Sequence, residues 1–238
     1  MVNTQWSKAD LHIHTNYSND GTAGVVDVLD HVVKHTDLRV IAITDHDTID
    51  GALEARRIAP AYGIDVIVGE EISTADGHML ALFIEQMVPP GQPARESIAA
   101  VHAQDGLCIP AHPYGWRVPS MGQARLRERC AGPDREWPVD AIEIFNASLW
   151  LPQNNHMAVE AARTLNIPGC GGSDSHHLPT IGLGYTLFAG HSASDLRQAI
   201  QTGQIQAGGT AWGWVHNIEF IALWLHGMTQ RALKPSTP

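Results

Sequence analysis

The stretch Ile41-Ala42-Ile43-Thr44-Asp45-His46-Asp47 joins an apolar run to three consecutive ionisable residues. A short apolar run is typical of a buried strand, and the abrupt change indicates a strand that ends in a polar site. Other apolar runs end in the same way, so that several predicted strands finish in His, Asp or Glu. These further stretches are Asp10-Leu11-His12-Ile13-His14, Val66-Ile67-Val68-Gly69-Glu70-Glu71, Cys108-Ile109-Pro110-Ala111-His112 and Gly171-Gly172-Ser173-Asp174-Ser175-His176.

Apolar runs alternate with segments of helical periodicity along almost the whole chain. Val25, Leu29 and Val32, for example, recur at intervals of three and four residues, which is the spacing of an amphipathic helix. Such alternation favours βα units with a parallel sheet, and about seven or eight units favour a closed barrel whose active site lies at the carboxyl ends of its strands. The predicted strands are 9–14, 40–44, 65–69, 78–84, 106–110, 141–145, 168–172 and 185–188.

The composition indicates one globular domain over residues 1–238 with an acidic surface. Apolar residues make up 44% of the chain, which is ample for a core. The 15 Lys and Arg against 25 Asp and Glu give a net charge of −10. This charge disfavours binding to double-stranded nucleic acid or an anionic membrane, because both need a basic face. The 14 His are a surplus of the side chain that serves as proton shuttle and metal ligand.

The cysteines and termini predict a location in the cytoplasm. Cys108, Cys130 and Cys170 are odd in number and widely spaced, which argues against a disulfide framework and for small buried side chains in a reducing compartment. The first eight residues lack the apolar segment of a signal peptide. The apolar run 220–225 is far shorter than the roughly 20 residues that span a membrane.

The polar strand ends, taken together, indicate a metal site. Any one of them could be a polar residue that reaches solvent or caps the next helix. Carboxylates and imidazoles that are gathered at one mouth and shielded from water would repel or desolvate one another unless cations neutralised them. A cluster of metal ions accounts for all of them at once.

With these motifs the sequence resembles the PHP (polymerase and histidinol phosphatase) family over about residues 10–208. The resemblance implies a distorted (β/α)7 TIM-like barrel and metal-dependent hydrolysis of phosphate esters. The motifs that carry it are His12-Ile13-His14, Thr44-Asp45-His46-Asp47, Gly69-Glu70-Glu71-Ile72-Ser73, Ala111-His112-Pro113 and Gly172-Ser173-Asp174-Ser175-His176. Residues 194–208 are similar to the helix and strand that close many members.

The resemblance also implies a ligand set for two or three divalent ions. The first ion would be held by His12, His14, Glu71 and Asp174, the second by Glu71, His78 and His112, and the third by Asp20, His46 and His176. Glu71 is the bridging carboxylate because it precedes Ile72-Ser73, and Glu70 on the opposite face has a structural role. Imidazole and carboxylate ligands without thiolate suit Zn²⁺, Mn²⁺ or Fe²⁺ alike.

Four further residues are assigned roles around the ions. Asp45 is predicted to accept a hydrogen bond from a ligating imidazole, while Asp47 suits the N-cap of the following helix. His177 is a candidate proton donor to the leaving group, with an exposed loop histidine as the alternative. Arg117 is a candidate phosphate clamp, since its forked donors suit phosphate, with a surface arginine as the alternative. Asn146, at the end of a predicted strand, is a candidate ligand of a substrate oxygen.

The predicted function is hydrolysis of a phosphate ester, in which a hydroxide that bridges two metals attacks phosphorus. The substrate would be a small phosphorylated metabolite, a nucleotide or the end of a short oligonucleotide. The alternatives are an amidohydrolase-like hydrolase, which usually uses a carboxylated lysine or another carboxylate at a strand end, and a non-catalytic metal-binding PHP module. No lysine stands near a predicted strand end. A nucleic-acid-binding protein is disfavoured by the charge.

Two segments depart from the pattern of many small-molecule PHP enzymes. Those enzymes carry an inserted domain after the strand that holds the His78 position, and here residues 85–94 form only a loop, so the site should be more open or covered by another subunit. Residues 216–233 have the pattern of an amphipathic helix, with Ile218, Ile221 and Leu225 in its apolar stripe. We expect this helix to pack on the barrel, with a contact in a homo-oligomer as the alternative.

Overall fold

The computed structural model describes residues 5–116, 118–131 and 135–233. Arg117, the candidate phosphate clamp, lies outside the described residues. Strands and helices alternate along most of the chain, as the periodicity predicts. The strands are β1 (Trp6–Ile13), β2 (Leu38–Ile43), β3 (Asp65–Thr74), β4 (Gly77–Leu82), β5 (Leu107–Pro110), β6 (Ile142–Asn146), β7 (Gly169–Gly172), β8 (Gly184–Ala189) and β9 (Ile205–Gly209).

All the helices except α4 (Gly122–Cys130) follow predicted amphipathic segments, and α4 was not predicted. Val25, Leu29 and Val32 form the buried face of the first helix, which confirms the spacing argument. The helices are α1 (Val25–His35), α2 (Asp50–Ile58), α3 (Ala94–His102), α4 (Gly122–Cys130), α5 (Pro152–Leu165), α6 (Ala193–Gln201) and α7 (Trp214–Leu233). No described helix is long and apolar enough to cross a bilayer.

The strands form a seven-stranded sheet, in the order β5-β4-β3-β2-β1-β8-β9, and a separate parallel pair, β6-β7. Strands β1, β2 and β3 are parallel, but β4, β5, β8 and β9 run antiparallel to their neighbours. The expectation of an all-parallel sheet is therefore wrong. The physical reason is that β3 turns directly into the antiparallel β4 without an intervening helix. The turn passes through Gly77, whose φ is 132°. A positive φ of this kind suits glycine.

The large sheet curls, because its two end strands β5 and β9 both contact the β6-β7 pair. The backbone amide of Asp140 donates to the carbonyl of Cys108 at 2.9 Å, and that of His14 donates to Ser175 at 2.8 Å. The first bond joins the small sheet to the edge strand β5, and the second joins it to the end of the interior strand β1. The α/β class is confirmed, and the architecture is a curled half-barrel with a small second sheet across its open side.

Strand β1 carries an extra residue beside the site. Asp10 pairs with Ile41 and Ile13 pairs with Ile43, so three steps along β1 match two along β2. Such a bulge re-aims side chains and is common next to active sites. Leu11 and Ile13 consequently enter two different apolar clusters, while His12 between them is fully buried and turned towards the other polar strand ends.

The C-terminal helix α7 contacts the domain through residues other than its predicted stripe. Ile218, Ile221 and Leu225 are exposed, so the expectation that they pack on the barrel is wrong. Asn217 is buried instead, and the ring of Phe220 lies 5.2 Å from the ring of His176.

Candidate metal centre

All the predicted metal ligands lie in one cluster at the carboxyl ends of the parallel strands. His12 and His14 come from β1 and the residue after it, His46 follows β2, and Glu71 lies within β3. The remaining ligands are His78 on β4, His112 after β5, Asp174 and His176 after β7, and Asp20 in the loop between β1 and α1. The strand ends therefore converge as the sequence predicts.

Glu71 lies at the centre of the cluster and is fully buried. Its Oε2 is 3.2 Å from the Nε2 atoms of both His12 and His14. Its Oε1 is 2.9 Å from His78 Nδ1 and 2.9 Å from His112 Nε2. Each of the two Glu71 oxygens thus contacts a different pair of histidines, which is the arrangement of a carboxylate that bridges two ions.

Asp174 completes the first pair. Its Oδ1 lies 3.4 Å from the Nε2 atoms of His12 and of His14. Its backbone has a φ of 52°, and the φ of His112 is 29°. A positive φ is strained for a residue with a side chain and concentrates at functional sites. The backbone thus accepts strain to place two of the ligands.

A third group of ligands is more open than the other two. Asp20 Oδ2 lies 3.2 Å from His176 Nε2 and 3.4 Å from His46 Nε2. The side chains of Asp20 and His46 are about one quarter to one third exposed, at 30% and 25%. An ion held here would be accessible from the cleft.

Four imidazoles form hydrogen bonds through their Nδ1 atoms with groups other than the proposed ligand carboxylates. The partners are Glu143 Oε1 for His12 at 3.0 Å, Ser18 Oγ for His14 at 3.2 Å, Ser120 Oγ for His112 at 3.3 Å and the Asp174 carbonyl for His176 at 2.9 Å. Ser18 and Ser120 donate their own protons to Asp45 and to the His112 carbonyl, so all four partners accept from Nδ1–H. Each Nε2 then faces a carboxylate oxygen and carries either a proton or a lone pair that is available to a metal ion.

The residues present fit divalent cations. A lone pair at 3.2 Å from a carboxylate oxygen is repulsive unless a positive charge lies between them. The buried atoms His14 Nε2, His78 Nδ1 and Asp20 Oδ1 have no hydrogen-bond partner in the structure. Imidazole nitrogens and carboxylate oxygens are the ligands that zinc, manganese and iron take in proteins.

The acid–base properties of the cluster show the same need for positive charge. Burial alone would raise the pKa of the Glu71 carboxyl, but the imidazoles of His12 and His46 hold that pKa well below its usual range. Burial would lower the pKa of His46, but the carboxylates of Glu71 and Asp20 raise it to about 9. Protons can supply the compensating charge, and metal ions displace such protons when they bind.

Glu143 on β6 is a functional residue that the sequence reasoning missed. Its Oε1 accepts from His12 Nδ1, and its Oε2 accepts from the His112 amide at 2.6 Å and from Asn146 Nδ2 at 3.0 Å. It is buried, and the available signal was one charged residue inside an otherwise apolar strand. The same Asn146 Nδ2 lies 3.1 Å from Asp174 Oδ2, so Asn146 links two acidic residues of the site.

The aspartates after β2 act differently from the prediction. Asp45 Oδ1 accepts from Ser18 Oγ at 2.9 Å, so it reaches His14 through Ser18 and not by direct contact with an imidazole. Asp47 does not cap α2, whose N-cap is Ile49 without a side-chain bond. Asp47 Oδ1 accepts from the Ser73 amide at 2.7 Å instead, because its φ of 54° turns it towards β3.

Two further residues near the cluster are buried. Glu70 accepts from the Val88 amide at 2.9 Å, on the side of β3 away from the histidines. His177 is 2% exposed, so the alternative of an exposed loop histidine is wrong. Burial and the neighbouring His216 lower the pKa of His177 to about 4. Its ring lies 5.2 Å from the ring of Trp212.

A cleft of about 330 Å³ opens beside the third group of ligands. Its polar end contains Asp20, Asp174 and His176. The apolar wall includes Trp116, Trp150, Trp212 and Phe220. A substrate can therefore place a polar reacting group at the cluster and an apolar or planar part against the wall.

Two family models match the chain: the PHP domain over residues 10–128 and the PHP-associated domain over residues 152–205. The chain belongs to the PHP family, as the motifs predicted. An uncharacterized protein of Methanocaldococcus jannaschii is 35% identical over 149 residues, which are 59% of this chain and 82% of that protein. A 3',5'-nucleoside bisphosphate phosphatase of Chromobacterium violaceum is 32% identical over 85 residues, which are 36% of this chain and 29% of that protein.

Two solved structures show the same fold. One is a two-domain protein of Bacteroides vulgatus that contains a predicted PHP-like metal-dependent phosphoesterase, with a TM-score of 0.70 at 19% identity over 95% of this chain and 71% of that one. The other is endonuclease Q in complex with a 27-mer duplex that carries an abasic lesion, with a TM-score of 0.62 at 17% identity over 87% of this chain and 60% of that one.

Proposed function

We propose that this protein hydrolyses a phosphate ester of a small phosphorylated metabolite, a nucleotide or the end of a short oligonucleotide, with two or three divalent ions. The observation that carries the proposal is the position of Glu71, whose two oxygens face two separate histidine pairs. Bound ions would supply Lewis acidity and an activated water for attack on phosphorus. The names of the bisphosphate phosphatase and phosphoesterase relatives support this reaction class.

The charges in the cluster favour an anionic substrate. Three divalent ions would bring six positive charges against the three carboxylates Asp20, Glu71 and Asp174. The excess positive charge attracts phosphate although the whole chain carries −10. Solvent access at Asp20 and His46 gives the phosphate a route to the ions.

The residues around the ligands have positioning roles in this proposal. Glu143 and Ser18 fix the tautomers of His12 and His14, and Asp45 fixes Ser18. Asn146 holds Asp174 and Glu143 and so would act on substrate mainly through them. Arg117 remains the proposed phosphate clamp, whereas the proton-donor role of His177 is not retained, because its imidazole is buried and its pKa is lowered to about 4.

The proposed substrate class is based on the size of the cleft beside the ligands and on the charge of the chain. The cleft beside the ligands is about 330 Å³, which suits a small molecule or a single flipped or terminal nucleotide. The acidic chain disfavours a long duplex held by its backbone. An amidohydrolase reaction is the rival, and the sequence has no lysine at the carboxyl end of a predicted strand.

The test is a panel of phosphomonoesters, phosphodiesters, amides and short single- and double-stranded oligonucleotides. The full chain is stripped with a chelator and then given Mn²⁺, Zn²⁺ or Fe²⁺. We expect phosphoester turnover that requires added metal and falls by at least 100-fold in Glu71→Gln, because that change weakens two ions together. Glu70→Gln is the matched control, since the same chemical change one residue away faces the Val88 amide.

Turnover of phosphoesters that survives both chelation and Glu71→Gln would overturn the metal mechanism. Turnover of amides but of no phosphoester would favour the amidohydrolase reading. If Glu70→Gln lowers activity as much as Glu71→Gln does, the loss in both variants comes from a disturbed β3. The proposed role of Glu71 in the mechanism would then be wrong.

A further inference from the structure

A second cluster of potential metal ligands lies outside the site described above. It joins the loop after β7 to the first turns of α7 and consists of His177, His216 and Glu219. His216 Nδ1 is 3.4 Å from Glu219 Oε2, and His177 Nε2 is 4.0 Å from the same oxygen. All three ligand atoms lie within 4.8 Å of one another.

The buried member of this cluster has an unpaired nitrogen. His177 is 2% exposed, and its Nε2 has no hydrogen-bond partner in the structure. Burying a polar atom without a partner is unfavourable. His216 Nδ1 is also buried without a hydrogen bond. Two ring nitrogens on separate elements thus face one small volume that contains a carboxylate oxygen.

The surroundings of His177 suit the tautomer that a ligand needs. Its Nδ1 lies 3.5 Å from Thr180 Oγ1, whose proton has other close acceptors in the His177 carbonyl at 2.8 Å and Ser175 Oγ at 2.9 Å. With Thr180 Oγ1 accepting from Nδ1–H, the lone pair of Nε2 would point towards Glu219. A hydrogen bond to the far nitrogen of this kind is typical of metal-ligating histidines.

The distances suit a tetrahedral ion. Bonds of about 2.0–2.1 Å to zinc put neighbouring ligand atoms about 3.3 Å apart in a tetrahedron. The distance from His216 Nδ1 to Glu219 Oε2 already has this value within 0.1 Å, and His177 Nε2 must approach Glu219 Oε2 by less than 1 Å. His216 and Glu219 are three residues apart on α7, which places them on one helix face. The Glu219 side chain is 48% exposed, so an ion can enter from solvent.

We propose that His177, His216 and Glu219 bind one transition-metal ion of the zinc class, with water as the fourth ligand. The ion joins α7 to the segment that carries His176. It thereby holds Phe220 and Trp212, whose rings are 5.9 Å apart, in place at the wall of the cleft. This site is separate from the Glu71 cluster and does not depend on the proposed reaction.

The competing explanation is an ordinary ion pair between His216 and Glu219. It accounts for two of the residues but leaves His177 Nε2 buried and unpaired. The two explanations differ in metal content, because an ion pair binds no metal.

The experiment compares metal stoichiometry in variants of the full chain. Chelated protein is equilibrated by dialysis against Zn²⁺, and bound metal is counted by elemental mass spectrometry. His216→Ala and Glu219→Gln are expected to bind one equivalent less than the unchanged chain, and both changes lie on a solvent-facing helix turn. His156→Ala on α5 is the matched control, since His156 belongs to none of the ligand clusters among the described residues. It should retain the full count.

Two further measurements separate this site from the Glu71 cluster. Glu71→Gln should lose other equivalents and keep the one that His216→Ala removes. Co²⁺ titrated into the Glu71→Gln chain should give the intense visible absorption of a four-coordinate ion, and His216→Ala added to that chain should remove the part of this absorption that corresponds to one equivalent of Co²⁺. Equal zinc content in His216→Ala, Glu219→Gln and the unchanged chain would overturn the proposal, whatever the activity of the protein.

Discussion

At the scale of the residue, the metal centre depends on a side chain that binds no metal. Glu143 accepts from His12 Nδ1 with one oxygen and from the His112 amide with the other. An amide in its place must turn an NH₂ group towards one of these donors. We expect Glu143→Gln to lower metal affinity by about 10–100-fold, which is the usual effect of losing such a partner. Competitive titration with a fluorescent chelator measures it.

Glu160→Gln is the control for this change, because Glu160 is an exposed glutamate of α5 that pairs with Arg163. It should bind metal like the unchanged chain. Metal affinity within twofold of normal in Glu143→Gln would show that His12 needs no fixed tautomer.

The cysteines give a second prediction at this scale. Cys108, Cys130 and Cys170 are free and buried, as predicted. Burial raises the pKa of Cys130 from 9.0 to about 11 and raises the pKa of the other two well above the usual value. Because only the thiolate reacts, raising the pH from 7 to 9 should leave all three thiols unreactive.

The measurement is the absorbance of a disulfide exchange reagent with and without denaturant. We expect no reaction in the folded chain through pH 9 and three equivalents after unfolding. A thiol that reacts in the folded chain with a midpoint near pH 9 would show that it is neither buried nor shifted.

At the scale of the element, the loop between β1 and α1 positions the third group of ligands. A methyl group added at Gly21 would overlap the carbonyl oxygen of Thr15, so Gly21→Ala must displace the loop that carries Asp20. We expect this variant to lose the ion held by Asp20, His46 and His176 while it keeps the two at Glu71. Metal counting after dialysis tests the loss of one equivalent.

Gly213→Ala is the matched control, since a methyl group there meets no atom within 4 Å. An unchanged count in Gly21→Ala would mean that the loop adjusts without moving Asp20. The loss of every ion would mean that the three groups of ligands are not separable.

The sequence predicted the ligands better than the strand pairing, for a physical reason. A polar residue at the end of an apolar run is a local signal, and His46 and Asp174 could be assigned from it. Strand direction depends on the connection, and β4 is antiparallel because only a short turn with Gly77 separates it from β3. That turn looks in sequence like the end of an ordinary strand.

The supporting residues were harder to predict because their partners are distant in the chain. Glu143 and His12 are 131 residues apart, so no local pattern links them. Asp45 was identified as a supporting residue, but its route to His14 through Ser18 depends on the fold of the loop after β1. His46 follows Asp45 in the chain and therefore looks in the sequence like its hydrogen-bond partner, but the Asp45 carboxylate contacts Ser18 instead.

At the scale of the whole molecule, the metal centre ties together parts of the chain that are far apart. Its ligands come from strands of the large sheet and from the segment after β7, so bound ions oppose the separation of the β6-β7 pair from the large sheet. An ion that binds only the folded state adds stability of about 2.7 kcal/mol at 100 times its dissociation constant. For a chain of this size each kcal/mol raises Tm by about 2–4 °C.

We therefore expect chelation to lower Tm by at least about 5 °C and added Mn²⁺ or Zn²⁺ to restore it, as followed by scanning calorimetry. The burial of Glu71 and Asp174 supports this direction, because without ions their charges are opposed only by protons on the neighbouring imidazoles. The Glu71→Gln chain is the control, and its Tm should respond less to added metal because it lacks the bridging carboxylate. If chelation leaves Tm unchanged in a chain that is known to have bound metal, the ions are held by a preformed site that needs no closure of the sheet.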